Sequence, residues 1–130
     1  MNQELRYRVY NKYHYHCAYC GKEILYKDMQ VDHMSPKALN RPIGRNINGD
    51  YVYADIDDFS NLMPSCRRCN HYKRAHSLKE FRGMIKTLHE RIQDKYINKV
   101  GIDYGIITIK PFDGIFYFEH FQLGHKMIIQ

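Results

Sequence analysis

A chain of 130 residues, 26% of them charged and with a mean hydropathy of −0.63, has material for one compact domain with an extension around a small core. No stretch is apolar for long enough to span a bilayer, and the opening Met-Asn-Gln-Glu-Leu-Arg lacks the apolar run of a signal peptide, so a cytoplasmic protein without a membrane partner is expected. The formal net charge of +6 is uneven: residues 67–95 hold nine Lys/Arg against three Asp/Glu, and the segments on either side are balanced. A concentrated basic face suits a polyanion partner, because neutralising phosphates releases counterions, although a solvated helix has the same composition.

In chain order, residues 2–13 alternate charged side chains with Leu5, Tyr7, Val9, Tyr10 and Tyr13 and predict a short helix. The tyrosines from Tyr7 to Tyr19 are expected to pack rather than to stack on bases. Cys17-Ala-Tyr-Cys20 follows, with Gly21 as its turn residue. Met29-Gln-Val-Asp-His33 predicts a strand that stops before Ser35-Pro36. Residues 37–60 form a long connection rich in Pro, Gly and Asn, in which Tyr51–Tyr53 has strand character, and loops of that length in small domains are commonly functional. Asn61-Leu-Met-Pro64 is a second extended piece, and Ser65 is positioned to cap a helix bearing Cys66, Cys69 and Asn70.

Ser77-Leu-Lys-Glu80 has the pattern of a capping box. Leu78, Phe81, Ile85, Leu88, Ile92 and Tyr96 follow at three- and four-residue steps, predicting one long amphipathic helix that ends near Asn98 or Gly101, its apolar stripe turned to the core. Beyond Gly101, Ile106–Lys110 and Ile115–Phe118 flank Asp113-Gly114, which predicts a C-terminal β-hairpin. The fold class expected is therefore α+β: a core domain over residues 1–100 and a β-rich extension over 101–130.

All four cysteines fall into two Cys-x-x-Cys pairs, Cys17/Cys20 and Cys66/Cys69. Two ligands two residues apart on a tight turn can reach one ion, and two such turns close a tetrahedral thiolate site, so structural zinc is expected. Four thiolates leave no open position for chemistry, so this metal is a staple for a small core.

Other residues within that frame suit phosphodiester hydrolysis, which needs a base, a cation for the developing negative charge and help for the leaving oxygen. Asp32 and Asn70 are hard oxygen donors suited to Mg²⁺, and a neutral His33 beside them can take a proton near pH 7. Neighbours on a regular strand point to opposite faces, so Asp32 and His33 share a site only if the strand ends there. Arg67, Arg68, Lys73 and Arg74 lie beside these residues and are expected to contact phosphate.

Cys17-x-x-Cys20, Val31-Asp-His-Met-Ser-Pro36 and Asp58-Phe-Ser-Asn-Leu-Met-Pro-Ser-Cys-Arg-Arg-Cys-Asn-His-Tyr-Lys73 together resemble the HNH endonuclease family over about residues 17–74. The resemblance implies a ββα-metal fold with a four-cysteine zinc site. It implies His33 as general base, Asp32 and Asn70 as ligands of a catalytic Mg²⁺ or Mn²⁺, and Asn61 as a tether whose side chain bonds the backbone of the His33 loop. Where many relatives end the motif in His, this chain has Asn70, which leaves open a part for His71. Cleavage to 5′-phosphate and 3′-hydroxyl ends is likewise implied. Double-stranded DNA is the expected substrate, with RNA and branched DNA as alternatives. The competing reading is a zinc-binding module for nucleic acid or protein that keeps the fold without the chemistry. Asp32, His33 and Asn70 together argue against it, since a binding module has no need of all three.

Overall fold

A computed structural model describes residues 1–36, 42–53 and 55–124 of the chain. Parts of two sequence expectations, the connection 37–60 and the extension 101–130, therefore lie outside the described residues. The chain divides into two units, one of residues 1–77 together with the segment from Phe116 onward, the other of residues 78–115. The boundary expected at residue 100 lies inside a helix of the second unit. No described helix is long and apolar enough to cross a membrane.

In the first unit, helix α1 (Gln3–Tyr10) begins on Asn2, whose side chain accepts the amide of Leu5 at 2.7 Å and satisfies one of the first-turn N–H groups that a helix leaves unpaired. Strand β1 (Gln30–His33) pairs antiparallel with β4 (Leu62–Ser65), in the register Gln30 with Ser65, Asp32 with Met63 and His33 with Leu62. Helix α2 (Arg67–Lys73) leaves β4 directly and packs on β1. Two strands and a helix are thereby brought around the second cysteine pair. The helix is capped by Cys66, whose Sγ accepts the amide of Cys69, whereas Ser65, expected as the cap, is buried and donates its hydroxyl to the Cys66 carbonyl. Between β1 and β4 lies an exposed two-stranded ribbon, β2 (Pro42–Arg45) with β3 (Tyr51–Tyr53).

The second unit departs from the expected single helix. It contains α3 (Leu78–Lys86), α4 (Leu88–Gln93) and α5 (Tyr96–Asp103). The apolar stripe is continuous in sequence, but Thr87 interrupts the helix by turning its hydroxyl back onto the carbonyls of Gly83 and Met84. A second break follows at Lys95, whose backbone is extended.

No strand occurs after residue 101 among the described residues, so the expected hairpin is replaced by other structure. The amides of Ile106 and Ile107 both donate to the carbonyl of Gly101 and close the end of α5. Asp113-Gly114 does turn the chain: Asp113 accepts the amide of Ile115 and Gly114 has φ +88°. The turn leads into a helix, α6 (Tyr117–Gln122), which belongs to the first unit. The amides of Tyr117 and Phe118 lie in the first turn of α6, where no intrahelical acceptor exists, and they donate to the carbonyls of Tyr19 and Ala18. Phe116, Tyr117 and Phe118 are buried, with Tyr19 edge-on to both phenylalanine rings. Tyr13 packs against Phe118 and Phe121, and Tyr10 against Tyr15 and Tyr26, so the aromatic-rich N-terminal region is spent largely on packing.

Candidate functional site

The four cysteine sulfurs lie within 4.8 Å of one another, and Cys20 and Cys66 are 3.9 Å apart. Tetrahedral zinc with bonds near 2.3 Å would hold its sulfurs about 3.8 Å apart, so the spacing and the all-thiolate donor set fit structural zinc. The first knuckle is closed by the Gly21 amide on the Cys17 carbonyl and the Cys17 amide on the Lys22 carbonyl. Gly21 has φ +80°, and a Cβ there would meet the Tyr117 ring at 2.6 Å, so the turn requires glycine on both counts. Ala18 donates its amide to Pro64 at 2.8 Å and ties this knuckle to β4. The thiols perturb one another strongly: hydrogen bonding with Cys20 draws the Cys17 thiol down to about 7, and contact with Cys17 pushes the Cys69 thiol up. Cys66 is likewise drawn down and Cys20 pushed up, and such opposed shifts belong to the group as a whole rather than to any one thiol.

Strand alternation sends Asp32 and His33 to different surroundings. Asp32 is 6% exposed; its Oδ2 accepts the Tyr19 hydroxyl at 2.5 Å and lies 3.1 Å from Lys73 Nζ. Burial and the neighbouring carboxylate push the Tyr19 hydroxyl far up, so it stays protonated and donates. Lys73 is fully buried and gives a second hydrogen bond, at 3.0 Å, to the His33 carbonyl. That burial corrects the expectation that Lys73 contacts phosphate: its ammonium is held under β1 by an ion pair and a carbonyl, and an outside phosphate cannot reach it. Asn70 lies three residues earlier on α2, on the helix face that carries Lys73 to β1. It is half-buried, and its carboxamide makes no hydrogen bond to a described residue.

His33 is the last residue of β1 and is partly exposed. Its Nε2 lies 2.7 Å from Oδ1 of Asp57. The chain on either side of this contact is held by Asn61, whose Oδ1 accepts the Ser35 amide and whose Nδ2 donates to the carbonyls of Ser35 and Ile56. The Asn61 carbonyl also accepts the Met34 amide. One side chain thus fastens the exit of β1 to the approach of β4.

Arg67, Arg68 and Arg74 are exposed. The first two line an open groove of about 940 Å³ together with Lys22, Lys27 and His71. His71, the alternative last member of the motif, is exposed on that groove.

Sequence reading missed Asp57 and the joint role of Tyr19 and Lys73. Three carboxylates at Asp55, Asp57 and Asp58 just before Asn61 were a usable signal for the first. Nothing local marks the second, since Tyr19 occupies one of the two positions that the Cys-x-x-Cys spacing leaves unspecified. Residues 17–76 match the sequence model of the HNH endonuclease family. No curated protein and no solved structure matches the chain.

Proposed function

With residues 17–76 as an HNH endonuclease segment, we propose that this protein is a metal-dependent endonuclease acting on DNA with His33 as its general base. The observation that carries the reading is the setting of His33: a partly exposed imidazole at a strand end, braced through Asp57 and fastened by the Asn61 clamp. A base must combine access to water with fixed orientation, and a histidine serving only to fill a core needs neither.

Asp32 and Asn70 are the residues to hold a divalent ion. A carboxylate and a carboxamide are hard oxygen donors, and Tyr19 and Lys73 both meet Asp32 at Oδ2, so Oδ1 is the carboxylate oxygen offered as a ligand. Such an ion would supply charge neutralisation at the phosphate and at the departing 3′ oxygen. His33 takes the proton from a water aligned with the phosphorus, the new P–O bond forms as the bond to the 3′ oxygen breaks, and the departing 3′ oxygen takes a proton from solvent, leaving 5′-phosphate and 3′-hydroxyl ends. Tyr19 and Lys73 orient Asp32 from below, and Lys73 also holds the backbone at His33. Arg67, Arg68 and Arg74 supply phosphate contacts around the site.

The non-catalytic zinc module is favoured by one specific observation: Asp32 is already neutralised by a buried ammonium, as a purely structural carboxylate would be. Incubating the zinc-loaded protein with supercoiled plasmid and Mg²⁺ or Mn²⁺, beside His33→Ala, separates the two. Nicking or linearisation by the parent, lost in the variant, supports the nuclease. Binding without cleavage, equal in both proteins, supports the module.

A further inference from the structure

Asp57 is an exposed residue with a defined address. Its amide donates to Asp55 Oδ1 at 3.0 Å, the preceding carbonyl, of Ile56, accepts from Asn61 at 2.7 Å, and the following residue, Asp58, accepts both the amide and the hydroxyl of Ser60. The segment is therefore shaped on both sides of Asp57 by side-chain-to-backbone bonds, the devices with which Asp, Asn and Ser build turns. This shaped turn sets one carboxylate oxygen 2.7 Å from His33 Nε2.

An ionised carboxylate only accepts hydrogen bonds, so the contact puts the proton of a neutral imidazole on Nε2 and leaves the lone pair on Nδ1. We propose that Asp57 is the positioning residue for His33, fixing both the ring plane and the tautomer so that Nδ1 is the atom that takes the proton from water. The proposal deepens the nuclease reading and rests on it for the role of Nδ1. A histidine–carboxylate contact whose carboxylate is 63% exposed contributes little to folding stability. The preorganised turn thus has its clearest use in orientation, where the wrong tautomer or a swung ring removes the base from the reaction.

The test reads the tautomer directly and needs no turnover. Two-bond ¹H–¹⁵N correlation spectra of the zinc-loaded parent, recorded where the imidazole is neutral, are expected to show His33 as the Nε2-protonated form. Asp57→Ala should convert this to a mixture of tautomers while the melting temperature and zinc content stay unchanged. In cleavage assays Asp57→Ala should lower kcat on the order of 10- to 100-fold with KM little changed. Asp57→Glu should recover part of the loss, and Asp57→Ala should add nothing in a His33→Ala background. An unchanged His33 tautomer in Asp57→Ala overturns the proposal, as does a loss of kcat that tracks a loss of melting temperature. A parent protein inert toward nucleic acid sinks the cleavage reading alone, and the spectrum still reports whether Asp57 sets the His33 tautomer.

Discussion

Lys73 and Asp32 are held 3.1 Å apart with the lysine side chain wholly sealed from solvent and the aspartate nearly so. Taking two charges out of water is costly, and the pair persists because each partner has further bonds: Tyr19 on the carboxylate and the His33 carbonyl on the ammonium. Removing one member strands the other. Lys73→Met is therefore expected to destabilise the first unit by about 3–5 kcal/mol. Chemical denaturation should show this as a lower midpoint with zinc still bound. If Lys73→Met melts with the parent, the pair does not organise the β1–α2 junction.

The zinc staple makes a prediction through Gly21 as well as through the cysteines. Cys66→Ser should lose zinc and with it much of the fold, since a structural zinc site contributes folding free energy directly. Gly21→Ala keeps every ligand. It still forces an L-residue to φ +80° and a methyl group to within 2.6 Å of the Tyr117 ring, at a cost of about 1 kcal/mol for the backbone alone. Its zinc should pass to a competing chelator faster than the parent's, with a lowered melting temperature. Equal release rates would mean that the Gly21–Tyr117 contact does not support the knuckle.

The Asn61 clamp separates loop order from global stability. Asn61→Ala removes three hydrogen bonds, to Ser35 twice and to Ile56 once, but water can reach most of the groups it leaves behind. A loss of about 1–2 kcal/mol follows rather than unfolding. Amide exchange at Ser35 should accelerate by much more than exchange in α2, and cleavage should fall with it. Uniform acceleration across the unit would instead make Asn61 an ordinary contributor to the core.

What could be read from sequence follows the range of the forces involved. The cysteine pairs were legible because a two-residue spacing and tetrahedral geometry are local constraints, and β1 was legible from its β-branched and polar alternation up to Ser35-Pro36. Lys73 was misread because lysine is seldom buried without a partner, and its partner lies forty-one residues away in sequence on another element. The segment Ile106–Phe118 has β-forming residues and a hairpin turn. Among the described residues no strand pairs with it, and the Tyr19 and Ala18 carbonyls take up the amides of Tyr117 and Phe118 that start α6. Thr87 was hidden inside an apolar stripe that runs straight through it. For Lys73 and for Ile106–Phe118 a tertiary partner decided between two locally acceptable structures, whereas at Thr87 a local side-chain bond outweighed the apolar pattern.

Nucleic-acid binding should discriminate among the basic residues by position. Each phosphate contact that releases a counterion contributes about 0.9 to the slope of log K against log salt on duplex DNA. Arg67 and Arg68 are exposed on the groove that Lys22 and Lys27 also line, so Arg67→Ala and Arg68→Ala should each weaken binding and flatten the slope by about one such step. Lys22→Ala and Lys27→Ala should do the same if a strand follows the groove. Lys73→Met, measured below its melting transition, should leave the slope unchanged because its charge is already paired and out of reach. Titrations of the zinc-loaded protein without added Mg²⁺ or Mn²⁺ keep any metal-dependent cleavage out of the comparison. A flattened slope for Lys73→Met with none for Arg67→Ala or Arg68→Ala would reverse the assignment, and would mean that α2 meets nucleic acid only after turning its buried face outward.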